Sequence, residues 1–76
     1  MTTFEQVKEI VANQLSIDPA KITEHTTFEE VEADSLDVVE VIMNIESEFN
    51  VDLPDEEVEG FKNVGELSKY VDRLLS

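Results

Sequence analysis

Apolar residues recur along the chain every three or four positions rather than every two, and that spacing predicts helices throughout. Phe4, Val7, Val11 and Leu15 form one stripe, with Ile10 at its edge, and predict a first helix over residues 4–15. Thr2 with Glu5, or Thr3 with Gln6, offers a capping box at its start. Asp18-Pro19 then breaks the helix or starts a turn. Residues 16–33 read as a long connection, with Ile17, Ile22, Phe28 and Val31 as apolar pegs onto a bundle. Asp34 suits the N-cap of a second helix that begins at Ser35 and runs to Phe49, with Asn50 as its stop. Leu53-Pro54-Asp55 introduces a short third helix over residues 56–59, closed by Gly60. Asn63, with Glu66 at N3, caps a fourth, in which Leu67, Tyr70, Val71, Leu74 and Leu75 are expected to face inward. The expected fold is all-α: a small four-helix bundle of three longer helices and one short third helix. A long loop joins the first two helices, and residues 1–76 form one domain.

The second helix carries two apolar faces. Turning each residue by about 100° from Leu36 places Val41, Ile45, Val38, Phe49 and Ile42 at about 140° to 240°, the core stripe. Leu36, Met43 and Val39 fall at about 300° to 360°, well away from it. Glu40 flanks this second patch on one side and Glu46 on the other. An apolar patch rimmed by carboxylates suits a partner site, with apolar contact for affinity and charge for steering. The competing reading is that the third or fourth helix covers it.

Charge sharpens the picture. Nineteen acids against five Lys and Arg give a formal net charge of −14. All five cations, Lys8, Lys21, Lys62, Lys69 and Arg73, lie outside residues 22–61, which hold 14 of the acids. Such a chain is repelled by nucleic acid and anionic membranes and attracts basic surfaces and cations. A solvated surface would explain an ordinary charge run, but a 40-residue stretch of one sign favours docking to basic proteins. At 76 residues the chain has a thin core and no room for a drug-sized cleft, which argues against a self-contained enzyme. No apolar run approaches the ~18 residues of a membrane span. The N-terminus does not resemble a signal peptide. With no cysteine there is neither a disulfide framework nor a thiolate metal site. A cytoplasmic monomer is expected, with no resident metal.

Ser35 is the residue of chemical interest. It stands at the first position of a helix, beside free N–H groups and the positive end of the dipole, where a phosphate ester would be favourably placed. The plain alternative is a serine that helps to cap the helix. A catalytic serine would need a base and an orienting group, and the only histidine, His25, lies on the connection with nothing to bury it. The acids do not spell a calcium loop either, since residues 52–57 lack the alternating ligands and central glycine.

Ala33-Asp34-Ser35-Leu36-Asp37 followed by Val39-Glu40 resembles the attachment motif of acyl carrier proteins. Val7-Lys8, Ile10-Val11 and Gln14-Leu15 resemble the first helix of the bacterial type II fatty-acid-synthesis kind. Glu46, Glu48-Phe49 and Leu53-Pro54-Asp55-Glu56-Glu57 resemble the end of its second helix and the approach to its third. Where the family commonly shows Leu-Gly ahead of Ala-Asp-Ser-Leu, this chain has Val31-Glu32. A glycine there permits a backbone turn, so the loop before Ser35 is expected to take a different path.

The resemblance implies a non-catalytic carrier. A phosphopantetheinyl transferase would attach 4′-phosphopantetheine from coenzyme A to Ser35, and the thiol of that arm would hold acyl groups as thioesters. Synthase, reductase, dehydratase and acyltransferase would dock through basic surfaces, and the bundle would shield the acyl chain between visits. By the same resemblance Asp34, Asp37, Glu40, Glu46, Glu48, Asp55 and Glu59 match acidic partner contacts, and Leu36 and Met43 apolar ones. Two alternatives stand beside this reading: a specialised carrier of a polyketide or another acyl pathway, and an acidic adaptor or nucleic-acid mimic with no prosthetic group.

Overall fold

A computed structural model describes residues 2–76, the side chain of Asp55 excepted. Four α-helices follow one another: α1 (Thr3–Leu15), α2 (Ser35–Phe49), α3 (Asp55–Val58) and α4 (Val64–Leu75). A single 3-10 turn, Pro19–Lys21, interrupts the loop between α1 and α2. Asp18 caps that turn and Pro19 opens it, so Asp18-Pro19 starts a turn after α1 has already closed at Ser16.

The caps set the helix limits. Thr2 accepts from the Glu5 N–H at 3.2 Å and starts α1 one residue earlier than its apolar stripe. The Glu5 carboxylate takes the Thr2 hydroxyl instead of the Thr2 N–H, so only half of a capping box forms. Asp34 and Asp37 form the full reciprocal box at the start of α2. Asn63 accepts from the Glu66 N–H at 2.8 Å and starts α4. Ser16 and Asn50 end α1 and α2 in the left-handed region. Gly60 does not follow that pattern. No glycine has a positive φ, and α3 closes through tight i to i+3 bonds from Gly60 to Glu57 and from Phe61 to Val58.

One core joins the elements. Val7, Val11 and Ala12 of α1 meet Val41, Ile42 and Ile45 of α2 and Val64, Leu67 and Val71 of α4, with Ile22 and Leu53 contributed by the loops. Val38 and Phe49 pack at its margin, as do Ile17 and Phe28, while Val31 is half-buried. Tyr70 also packs at the margin, its ring tilted against Phe61 at 5.4 Å between centroids. Leu74 and Leu75, expected inward, are instead 42% and 47% exposed. Thr3, the first residue of α1, donates to Asp72, so the last turn of α4 overshoots the helix that covers Leu67 and Val71.

The long loop is tied to α4 through the backbone. The N–H groups of Val64 and Gly65 donate to the carbonyls of Thr26 and Glu24, at 2.9 and 3.0 Å. With Asn63 capping Glu66, each of the first three helical N–H groups of α4 has a partner. A Cβ on Gly65 would lie 2.5 Å from the Glu24 carbonyl oxygen, so only glycine lets the loop approach this closely. Gly65→Ala is therefore expected to cost about 1–3 kcal/mol in denaturant melts. Gly60→Ala, whose Cβ would meet nothing nearer than 3.4 Å, should leave stability within about 1 kcal/mol of wild type. Equal melts for the two variants would show that the loop can retreat from α4 without penalty.

Candidate functional site

The start of α2 is where the candidate residues gather. Asp34 Oδ1 accepts from the Asp37 N–H at 2.9 Å, and Asp37 Oδ2 faces the Asp34 N–H at 3.4 Å. The aspartates do the capping, and Ser35 takes no part in it. Ser35 is exposed at the first helical position, with its own N–H and that of Leu36 at the open end of the helix. The reading of Ser35 as a mere cap is thereby removed.

Behind Ser35 lies an open groove of about 500 Å³ between α2 and α3, lined by Ala33, Asp34, Val38, Val39, Val58 and Glu59. Four of these six side chains are aliphatic, so the groove offers apolar cover beside an exposed hydroxyl. On the outward face of α2, Leu36, Val39 and Met43 are 65%, 51% and 61% exposed. No other helix covers this patch among the described residues, as the two-face reading of α2 requires.

The acids do not all share this face. Glu40 is exposed at the edge of the patch, and Asp34 and Asp37 stand at its head. Glu46 is half-buried, and its Oε2 accepts from the Leu53 N–H at 2.9 Å, which pins the segment leading into α3. A carboxylate expected only to meet partners thus also orders the approach to α3. Glu48 is exposed beside Gln6, Glu9, Ile10 and Asn13 of α1, about 140° round α2 from Met43. Glu59 stands on the rim of the groove. The side chain of Asp55 lies outside the described residues. Among the described residues, no cluster of three or more His, Asp or Glu side chains is placed to hold a metal ion. Sequence reasoning missed Val58 as a groove wall, because α3 carries too few residues for a periodicity to show.

Glu32 holds φ 57°, the left-handed region that glycine favours. Its N–H donates to Glu29 and that of Ala33 to Phe28, both at 3.0 Å, closing a Schellman-type turn immediately before Asp34. A glutamate therefore occupies a conformation that favours glycine, at a cost in backbone strain. Glu32→Gly is expected to raise stability by about 0.5–1 kcal/mol, the relief of left-handed strain less the added entropy of glycine in the unfolded chain. Glu32→Gln separates charge from conformation: if its thermal melt matches that of Glu32→Gly, the gain is electrostatic and the backbone is not strained.

The fold and site define a class, a small helical bundle that leaves one helix start and the face behind it open. The chain belongs to the phosphopantetheine-attachment family, whose profile, described as "Phosphopantetheine attachment site", matches residues 5–71. It is 42% identical over 73 residues to an acyl carrier protein of Wolinella succinogenes, covering 95% of this chain and 96% of that one. An acyl carrier protein of Helicobacter pylori is 44% identical over 73 residues, with 95% and 94% covered. One from Clostridium perfringens is 46% identical over 69 residues, with 90% and 91% covered. The bundle is also similar to the solution NMR structure of a holo acyl carrier protein from Geobacter metallireducens. The TM-score is 0.86 at 28% identity, covering 99% of this chain and 87% of that one. The prosthetic group of the family is 4′-phosphopantetheine. Its members carry groups rather than transform them. Among the described residues no helix is long and apolar enough to cross a membrane.

Proposed function

We propose that this chain carries acyl intermediates as thioesters on a 4′-phosphopantetheine arm esterified to Ser35, and delivers them to the enzymes of fatty-acid synthesis. The observation that carries this reading is an exposed serine at the first position of α2, relieved of capping by Asp34 and set against an apolar groove. When bound, the group supplies a terminal thiol on a long flexible tether. The chain has no cysteine of its own, so the working thiol is the imported one.

The residues around Ser35 fit such a group. The Ser35 hydroxyl provides the ester oxygen, and the open N–H groups of Ser35 and Leu36, with the helix dipole, favour the phosphate. Asp34 and Asp37 keep the helix start rigid through their reciprocal box. Ala33, Val38, Val39 and Val58 offer the acyl chain cover from water between visits. Leu36, Met43 and Glu40 present the docking face, with Asp34 and Asp37 at its head and Glu59 at the groove rim, while Glu48, on the α1 side of α2, would meet only a partner that reaches round the helix. Basic surfaces of a phosphopantetheinyl transferase, and of synthase, reductase, dehydratase and acyltransferase, are the expected complements. We place the chain in the cytoplasm as a single monomeric domain that binds no nucleic acid.

Incubation with coenzyme A, Mg²⁺ and a broad-specificity transferase should add one phosphopantetheine to the intact mass. Acylation of that thiol and delivery to a condensing synthase should follow. A folded protein that gains no mass overturns the reading.

A further inference from the structure

Outside the core, side chains of α1 and α2 form one polar relay. Gln14, in the last turn of α1, donates from Nε2 to Glu40 Oε2 on α2. Gln14 Oε1 accepts from Asn44 Nδ2 at 3.2 Å. Glu40 and Asn44 are four residues apart, one above the other on the same side of α2. A carboxylate only accepts, so the nitrogen of the Gln14 amide must face Glu40 and its oxygen must face Asn44. The relay therefore has a single direction, and it ends on the exposed carboxylate that borders Leu36 and Met43.

We infer that Gln14 is a positioning residue for docking: it holds the Glu40 carboxylate in one orientation at the edge of the apolar patch, ready for a basic side chain of a partner. This rests on the proposed role of that face in docking. A free glutamate has three rotatable side-chain bonds, and freezing them on encounter weakens binding. Gln14 imposes that order beforehand. Because the amide is neutral, it orients Glu40 without cancelling its charge, and Oε1 remains open to a guanidinium or ammonium. A lysine or arginine at position 14 would instead compete with the partner's own cation.

The relay is not needed to hold the helices together. Val7, Val11 and Ala12 already pack in one core with Val41, Ile42 and Ile45, while Glu40 and Asn44 are exposed and Gln14 is only half-buried. Beside that core, two hydrogen bonds at the surface contribute little to the stability of the bundle. Their consequence lies in where the carboxylate points. A sequence scan misses Gln14 because its partners sit 26 and 30 residues away on another helix.

The test compares wild type, Gln14→Met, Glu40→Gln and the double variant, each loaded with phosphopantetheine. Methionine keeps the length of glutamine and removes the donor. Side-chain NMR couplings of Glu40 should report one rotamer in wild type and averaging in Gln14→Met, with unchanged thermal melts. With a carrier-dependent condensing synthase as probe, Gln14→Met should raise KM about three- to tenfold and leave kcat unchanged. In the Glu40→Gln background, Gln14→Met should add nothing further. Equal averaging of Glu40 in both proteins overturns the inference. So does a Gln14→Met loss that persists undiminished without the Glu40 carboxylate, which would make Gln14 a contact in its own right. If Glu40 is ordered by Gln14 yet Glu40→Gln leaves KM unchanged, the docking role of Glu40 fails and the inference falls with it, while loading at Ser35 stands.

Discussion

Ser35→Ala is expected to fold like the wild type and to accept no phosphopantetheine at all. Ser35 is exposed, and the hydrogen bonds that start α2 belong to Asp34 and Asp37, so the lost hydroxyl should change stability by no more than about 0.5 kcal/mol. The other serines lack the setting. Ser68 is buried and donates to the Gly65 carbonyl at 2.9 Å. Ser76 donates to the Asp72 carbonyl, Ser16 ends α1, and Ser47 stands in the last turn of α2, at the opposite end from the free N–H groups. Intact mass after treatment with coenzyme A and a transferase reads the result, and a thermal melt on the same sample confirms the fold. Modification of a folded Ser35→Ala protein would move the attachment site to one of those four serines.

The second large effect separates the two faces of α2. Ile45 is fully buried, whereas Leu36 and Met43 are 65% and 61% exposed. Ile45→Ala should cost about 2–5 kcal/mol, from lost transfer energy and the cavity left behind. In a domain of this size that lowers Tm by about 10 °C or more. Leu36→Ala and Met43→Ala should leave Tm nearly unchanged and weaken binding to a carrier-dependent synthase by about fivefold or more, the loss associated with truncating a contact worth over ~1 kcal/mol. Melts and binding measured on the same three variants decide the matter. If Leu36→Ala and Met43→Ala lower Tm as far as Ile45→Ala, and binding falls only with the folded fraction, the outward face is packed in solution and docking occurs elsewhere.

Local chemistry made much of this fold legible. Asp34, Asn50 and Asn63 bound their helices as their cap preferences predict, because a cap depends on three or four adjacent residues. The split of α2 into two faces followed from the angle between residues alone. Long-range geometry was not legible. Leu74 and Leu75 continue an apolar stripe whose covering helix stops short. Gly65 and Ser68 are buried because a loop some 40 residues earlier in the chain lies against them, and small residues give no periodic signal. At the candidate site, Ser35, Leu36 and Met43 stood out in the sequence. The commitment of Glu46 to Leu53 did not, since a surface acid and a loop N–H seven residues away carry no shared pattern. Glu32 shows the limit of a glycine rule: the turn before Asp34 needs the left-handed conformation, and the surrounding hydrogen bonds hold a glutamate in it.

The bonds from Thr26 and Glu24 to the first turn of α4 also bear on the order in which the chain folds. These pairings close loops of about 40 residues, and the Thr3–Asp72 contact spans 69 positions, so they form late compared with the turns inside each helix. During synthesis the α4 segment is the last of the four helices to be made. Until it arrives, the carbonyls of Glu24 and Thr26 face water, and Ile22 lacks the core wall formed by Val64 and Leu67. The loop that leads to Ser35 thus takes its shape from the helix made last. A nascent chain displays the Asp34-Ser35-Leu36 segment well before it can hold that segment in place.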